Sequence, residues 1–431
     1  MKLLAVLAVV ALVAGCAAHS PPTAPTPQPA KPPLSFMVAT AIPACKDRFN
    51  ICSEPTVAVM KDGRAFASSV IGGLAISTDG AANWTPVADP PLPTGAPPDV
   101  FVNDVQLVAS GTTLYYCSIL TDSQFVAAAN AFVLAGLQVA SSPDGGKTWP
   151  LNVYLGATSS GSTTVGADRQ WLAVAPQGDL YISYLHATPL LTSTPLGVPI
   201  PEPSRAVGGQ LEVAHSTDGG KSWSAFVPIT DRGVLAGGPI VVAPEGSLLV
   251  PLMAYSSGEV RVGTSLDQGK TWTLETVAKG DDMGTWFPVL TTLAPDQRFI
   301  AWDRAKDNAI VASAWDPAAK VWTAPHVWSE EGSKAEVGPW VADARAGEHD
   351  IVWLTENGTD TDRHGDVVLA RGNDSGPNTR AILASNVSYF NRGANGDFAH
   401  YARFTDGRIL APFAQGPGSK SRVDVAVTVA S

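Results

Sequence analysis

Three features of this 431-residue sequence predict an all-β fold built from radially repeated sheets. Glycine (40 residues) and proline (35 residues) are spread along the chain, as many short strands joined by tight turns require. A Ser-x-Asp-x-Gly-x-x-Trp pattern recurs four times. In phase with it runs a second repeat, an apolar run, a Pro/Gly turn and another apolar run. Seven copies of this repeat stand at about 45–65-residue intervals, the spacing of propeller blades. The reading is a seven-bladed β-propeller, with six blades as the alternative. Hydrophobic residues at 45% are enough for a sizeable core.

In chain order, the first element is a processing signal. Lys2 supplies a positive n-region, and Leu3 to Val13 is an apolar run too short to span a bilayer as a mature helix. Val13-Ala14-Gly15-Cys16 resembles the bacterial lipobox. That resemblance implies that Cys16 is lipidated and becomes the mature N-terminus, a plain secretory peptide cut near Ala17-Ala18 being the alternative. The run Pro21-Pro22-Thr23-Ala24-Pro25-Thr26-Pro27-Gln28-Pro29, continued by Pro32-Pro33, cannot bury a core and favours extended polyproline conformation. The organisation expected is therefore a lipoprotein signal peptide at 1–15, a Pro-rich tether at 16–34 and a propeller at 35–431. The expected location is the bacterial cell envelope, with the body lipid-anchored to a membrane and facing the periplasm or exterior.

Cys45 and Cys52 precede the first repeat, and in an oxidising compartment they are expected to form a disulfide. Cys117 sits in the strand-like run Leu114 to Ile119 and is expected to be a buried free thiol. No Cys/His spacing fits a zinc site.

The four copies of the first motif begin at Ser77, Ser142, Ser216 and Ser265 and end at Trp84, Trp149, Trp223 and Trp272. The first has Ala81 at the glycine place, and Asp316 to Trp322 is a degraded fifth copy. These copies resemble the Asp box, or BNR repeat, of sialidases and many other propellers. Their chemistry is structural: the carboxylate caps backbone N–H groups of a tight turn, and the glycine allows positive φ. The second repeat is clearest in Trp171 to Tyr184 and Ile240 to Val250, and recurs at Pro55 to Val70, Asp104 to Ile119, Leu290 to Trp302, Trp340 to Leu354 and Phe398 to Phe413.

This phase labels the strands. The Pro/Gly turn joins strands A and B, and the Asp box joins C and D. The chain ends with Val423 to Val429, a strand C, so Ser35 to Thr40 is expected to supply the missing fourth strand and remove an open edge.

A–B turns and Asp boxes then share one face, while D–A and B–C connections share the other. The B–C connections are uneven. Ile71 to Gly73 and Ser256 to Gly258 are short, whereas Thr121 to Gly136, His186 to Gly209 and Thr355 to Gly365 are expected to be long loops. Loops on a repetitive scaffold commonly carry function. Polar residues gather at the predicted entry to strand A (Asp104, Asp168, Arg169, Asp281, Asp282, Glu336, Asp397, His400) and exit from strand B (His186, Tyr255, Asp303, Arg304, Glu356). Trp286 and Trp340 follow entry positions. The ligand-binding set expected is Asp168, Arg169, Asp282, Asp303, Arg304, Glu336 and His400, with pairing among themselves as the plain alternative.

The resemblance to sialidases does not extend to their diagnostic chemistry. That family needs three arginines on the substrate carboxylate, the first in Arg-Ile-Pro, a Tyr nucleophile with a Glu, and an Asp acid/base. Arg-Ile-Pro does not occur here. Arg169, Arg304, Arg363 and Arg392 are the arginines placed toward the upper face, and the sequence assigns no Tyr/Glu pair. The reading is a non-catalytic module binding a glycan or protein partner, with a sialidase-like or other glycoside hydrolase as the alternative. No cofactor is expected, although Asp360 to Asp366 partly resembles a calcium loop, with His364 in the third acidic place and Arg371 where the bidentate Glu belongs. The 28 basic and 39 acidic residues, net charge -11, include no basic cluster that would follow a phosphate backbone, so nucleic acid is not an expected partner.

Overall fold

The computed structural model describes residues 35–45, 52–126, 131–156, 166–187, 209–230, 233–254, 257–284, 288–294, 296–330, 339–342, 347–355, 357–359, 362–389, 400–416 and 421–429. The signal-peptide and tether segments lie outside them.

Seven antiparallel sheets follow one another along the chain. Strands A to D of blade 1 are Thr56–Val59, Ala65–Ser69, Gly72–Ser77 and Thr85–Pro86. Blade 2 uses Val100–Ser110, Thr113–Val126, Ala131–Ser142 and Leu151–Gly156. Blade 3 uses Gly166–Val174, Leu180–Ala187, Gln210–Ser216 and Val227–Pro228. In blade 4, strand A is split into Val234–Gly237 and Val241–Val242, followed by Leu248–Ala254, Glu259–Ser265 and Thr273–Lys279. Blade 5 uses Val289–Ala294, Gln297–Arg304, Ala309–Asp316 and the fragments Val321–Trp322 and His326–Val327. Blade 6 uses Trp340–Ala342, His349–Leu354, Asp362–Asn373 and Gly376–Tyr389. Blade 7 uses Ala402–Arg403, Ile409–Gln415 and Arg422–Thr428, and takes Phe36–Ile42 from the N-terminal side as its fourth strand. The A strands of blades 1–2, 2–3, 3–4, 4–5, 5–6 and 7–1 are neighbours, so they line a common axis.

The core is divided among the gaps between blades. Successive strand residues point to opposite sides of a sheet. On strand B of blade 3, Ile182 and Tyr184 therefore pack toward blade 2, while Tyr181 and Leu185 pack toward blade 4. Each of the seven gaps holds an apolar cluster of this kind. This is why the strands read as continuous apolar runs: both faces of each blade are covered.

The Asp boxes fold alike. In blade 3, Ser216 Oγ donates to Asp218 Oδ1 at 2.8 Å and accepts the Gly220 N–H at 2.8 Å. Asp218 accepts the Ser222 N–H at 2.9 Å, and the Trp223 indole N–H returns to Gly220 O at 3.0 Å. Gly146, Gly220 and Gly269 hold φ of 86°, 94° and 85°, and Ala81 takes the same left-handed conformation at 71°. The degraded copy in blade 5 keeps the cap: Asp316 Oδ1 accepts the N–H groups of Ala318 and Ala319 at 2.9 and 3.1 Å.

A recurring Asp-Gly-Arg turn ties blades together on the same face. In Asp62-Gly63-Arg64 and Asp406-Gly407-Arg408 the Asp accepts both the Arg backbone N–H and its Nε–H, the latter at 2.8 Å in each. Arg408 then donates to Gly80 O in the Asp box of blade 1 at 3.4 Å.

Closure pairs Phe36 with Thr428 through Ile42 with Val423, and Thr40 Oγ1 donates to Asp424 Oδ1 at 2.7 Å. Cys45 and Cys52 are bridged, with Cα atoms 5.3 Å apart, on the connection from this closing strand to blade 1. Cys117 is a buried free thiol.

Two of the expected long loops are partly strand. In blade 2, strands B and C continue past Thr121, pairing Phe125 with Phe132 and Val126 with Ala131. In blade 6, Asn357–Thr359 folds back on Asp362–Asn373. Phe125, Val126 and Phe132 are strong strand formers, and extending an existing hairpin satisfies their backbone groups at little entropic cost.

Candidate functional site

The upper face, which carries the D–A and B–C connections, brings Asp282 and Arg304 together. Arg304 ends strand B of blade 5. Asp282 ends the 3-10 turn Gly280–Asp282 that enters the same blade. The Trp302 indole N–H donates to Asp282 O at 2.7 Å and pins that turn. Arg304 donates through Nε and Nη2 to the two oxygens of Asp307 at 2.9 and 2.6 Å, and through Nη1 to Asp282 at 3.3 Å. Lys306 reaches the same Asp282 oxygen at 3.3 Å. The hydrogen bonds that Arg304 donates to the Asp307 carboxylate raise the guanidinium pKa and lower that of the carboxyl.

The other expected residues are dispersed. Asp303 is buried in strand B, one residue from Arg304. Arg169 has φ of 52° and sits at a β-bulge in strand A of blade 3. Asp104, φ 49°, occupies the corresponding bulge of blade 2. Such bulges re-aim side chains at the ends of strands. The backbone of Asp168 pairs with Leu185, but its side chain lies outside the described residues, as do Glu336, Tyr255, Trp286, Glu356 and Asp397. Asp281 is exposed on the 3-10 turn.

His400 is not a surface group. Its ring lies 5.5 Å from that of Trp171 and 4.3 Å from that of Trp340, and the two Trp rings are 5.7 Å apart. Trp171 belongs to strand A of blade 3, Trp340 to strand A of blade 6, and His400 precedes strand A of blade 7. Rings from opposite sides of the axis thus meet and plug the channel. The Trp171 indole N–H donates to Gly237 O of blade 4 at 2.7 Å. Burial pushes the His400 pKa down to about 3, so the imidazole is neutral at ordinary pH.

A Tyr/Glu pair, which the sequence reading did not assign, exists in blade 3. Tyr184 and Glu212 face each other across strands B and C. Glu212 accepts the Tyr184 hydroxyl at 2.8 Å and lies 2.9 Å from His186 Nδ1. Burial raises the Tyr184 pKa, and the Glu212 charge raises it further, the reverse of what a phenolate nucleophile needs. The signal for this group was a charged residue inside the apolar strand Leu211-Glu212-Val213-Ala214. A second buried carboxylate, Asp350, accepts from Arg371 Nε at 2.7 Å and from Arg403, joining blades 6 and 7.

For the calcium reading, Asp360 and Thr361 lie outside the described residues. Asp366 accepts the Asn386 N–H at 2.9 Å. Among the described residues no group of three or more His, Cys, Asp or Glu side chains converges as a metal site.

No protein-family model matches the sequence, and no curated protein matches it. Solved structures are similar in fold. A protein of unknown function from Dyadobacter fermentans DSM 18053 is 15% identical, with 91% of this chain and 99% of that chain covered and a TM-score of 0.50. The Hadza microbial sialidase Hz136 is 13% identical over 86% of this chain and 74% of that one, TM-score 0.49. YCF48 bound to D1 peptide is 13% identical over 91% and 98%, TM-score 0.46. At such identities likeness speaks for the fold alone, a β-propeller of seven sheets.

Proposed function

We propose that this chain is a lipid-anchored, extracytoplasmic propeller that binds a polar ligand, a glycan or a cell-envelope protein, on the face of its D–A and B–C connections without turning it over. The observation that favours binding over sialidase-type hydrolysis is the state of Arg304. A guanidinium that grips a substrate carboxylate must offer its fork to the ligand. The fork of Arg304 is engaged bidentately by Asp307 and again by Asp282. The Tyr184–Glu212 pair supports the same reading, since its phenol is held protonated.

The test is a panel of glycans and glycosides assayed for both binding and turnover, using two alanine sets. Replacing Asp168, Arg169, Asp303 and Arg304 should abolish binding, at a stability cost set mainly by the buried Asp303. Replacing Asp144, Asp218 and Asp267 should lower stability and leave affinity nearly intact. The opposite pattern would place the ligand on the other face, and turnover by the parent protein would overturn the non-catalytic reading.

A further inference from the structure

The gap between blades 2 and 3 holds a set of buried polar atoms that the upper-face reading does not use. On the blade 2 side of blade 3, strand B presents Tyr184 and His186, strand C presents Glu212, and the bulge of strand A presents Gln170. Glu212 has both oxygens engaged, one by the Tyr184 hydroxyl and one by His186 Nδ1. With Nδ1–H donating to a carboxylate, neutral His186 carries its lone pair on Nε2. That atom is buried and has no hydrogen-bond partner, and the His186 side chain is only 8% exposed. Gln170 is fully buried; its amide N–H donates to Asp104 O of blade 2, while Oε1 is without a partner. From the facing side, Thr121 of blade 2 is fully buried with Oγ1 also unpartnered. Thr121 follows Cys117 and Ile119 by the strand's two-residue period, and both of those pack toward blade 3. His186 stands near the upper end of its B strand, and Thr121 lies at a similar height on a B strand that runs on to Val126, counted from Leu180 and Leu114, the residues paired with the box serines Ser216 and Ser142.

Three unpartnered polar atoms in one gap are costly unless something bonds to them. Their chemistry selects the occupant. His186 Nε2 and Gln170 Oε1 are acceptors, and Thr121 Oγ1 can serve either way. An anion would meet acceptors and the Glu212 charge, so it is disfavoured. A group bearing several O–H donors fits. We infer that the upper end of the blade 2–blade 3 gap is a hydroxyl-binding subsite in which His186 Nε2, positioned by Glu212, accepts an O–H donated by a sugar hydroxyl or by an ordered water. With a sugar in it, the inference deepens the ligand-binding reading above and rests on it; with water, it stands alone.

The test uses the mature chain in three arms. Crystals grown without additive are compared with crystals soaked in a mixture of glucose, galactose, mannose and N-acetylglucosamine. An oxygen within hydrogen-bond distance of His186 Nε2 is expected, belonging to water before soaking and, if the source is a sugar, to a hydroxyl afterwards. Calorimetry with the same sugars should show affinity falling about tenfold in His186→Asn, because one accepted hydrogen bond is lost. Asn keeps an N–H for Glu212 while deleting Nε2, and His186→Gln, which keeps the Nε2-like position instead, should recover part of the affinity. If the source is water alone, no sugar binds here and His186→Asn lowers Tm relative to the parent. No oxygen at Nε2, together with an unchanged or raised Tm in His186→Asn, overturns the subsite. A glycan that binds the parent and His186→Asn equally, but not the Asp168/Arg169/Asp303/Arg304 alanine set, sinks the sugar arm while the upper-face reading stands.

Discussion

His400 lies nearly parallel to Trp171, the ring planes 20° apart, at the centre of the propeller axis. A charged imidazole cannot be hydrated there, which is why its pKa falls to about 3.

The consequence is acid sensitivity. Below the unfolded value near 6.5 the unfolded chain takes up a proton that folded His400 refuses. Stability present above that pH is therefore lost as pH falls toward 3. Between about pH 6.5 and 4.5 the loss is about 2–3 kcal/mol. His349, also lowered by burial, adds in the same direction. Urea unfolding of His400→Phe, which keeps an aromatic ring in the plug, should show a visibly flatter profile over this window. Parallel profiles for variant and parent would mean that His400 titrates normally.

The Asp boxes govern a lower window. Hydrogen bonds from Thr148 hold the Asp144 carboxyl at about 2, and those from Thr271 do the same for Asp267. Their contribution is present above the ordinary carboxylate range and lost as pH falls through about 2. Thermal melts of the Asp144/Asp218/Asp267 alanine set should start lower at pH 7 and lose less than the parent between pH 4 and 2.

Gly238 is required by a close approach of backbones. A Cβ there would lie 1.9 Å from Pro288 O, forcing the entries of blades 4 and 5 apart beside the channel. Gly238→Ala is expected to cost on the order of 3 kcal/mol, read from chemical denaturation. Gly178→Ala, at an A–B turn where nothing lies within 4 Å, should cost only the strain of its φ of 98°, about 1 kcal/mol.

The Cys45–Cys52 bridge closes a short loop, so Cys→Ser at both positions should cost about 2–3 kcal/mol or less. Because it joins the closing strand to blade 1, the double variant should also be cut sooner near residues 43–54 by a protease. Cys117, fully buried with its thiol pKa pushed up, should be silent to a thiol reagent until the chain is unfolded.

Mass spectrometry of the membrane-extracted protein should find Cys16 as the mature N-terminus, carrying more than one acyl chain, since a single chain anchors only weakly. An unmodified Cys16 or another start removes the anchor from the proposal.

Much of the architecture was legible in the sequence because it is local and repeated. The boxes from Ser77, Ser142, Ser216 and Ser265 encode their own turns through a hydroxyl, a carboxylate and a residue with positive φ. Their phase with the apolar repeat sets blade number, strand order and the closing partner of Arg422–Thr428. The proximity of Asp282 and Arg304 follows from the same order, as both stand at the upper end of blade 5. What strand order cannot carry is which side chains meet across a gap or across the axis. Those contacts depend on sheet twist, bulges and the width of each gap. The tertiary structure alone therefore decided that Asp307 takes the fork of Arg304, and that His400 closes the channel between Trp171 and Trp340. It alone set Glu212 between Tyr184 and His186, because a carboxylate in an apolar strand is stable only where the folded chain brings donors to it.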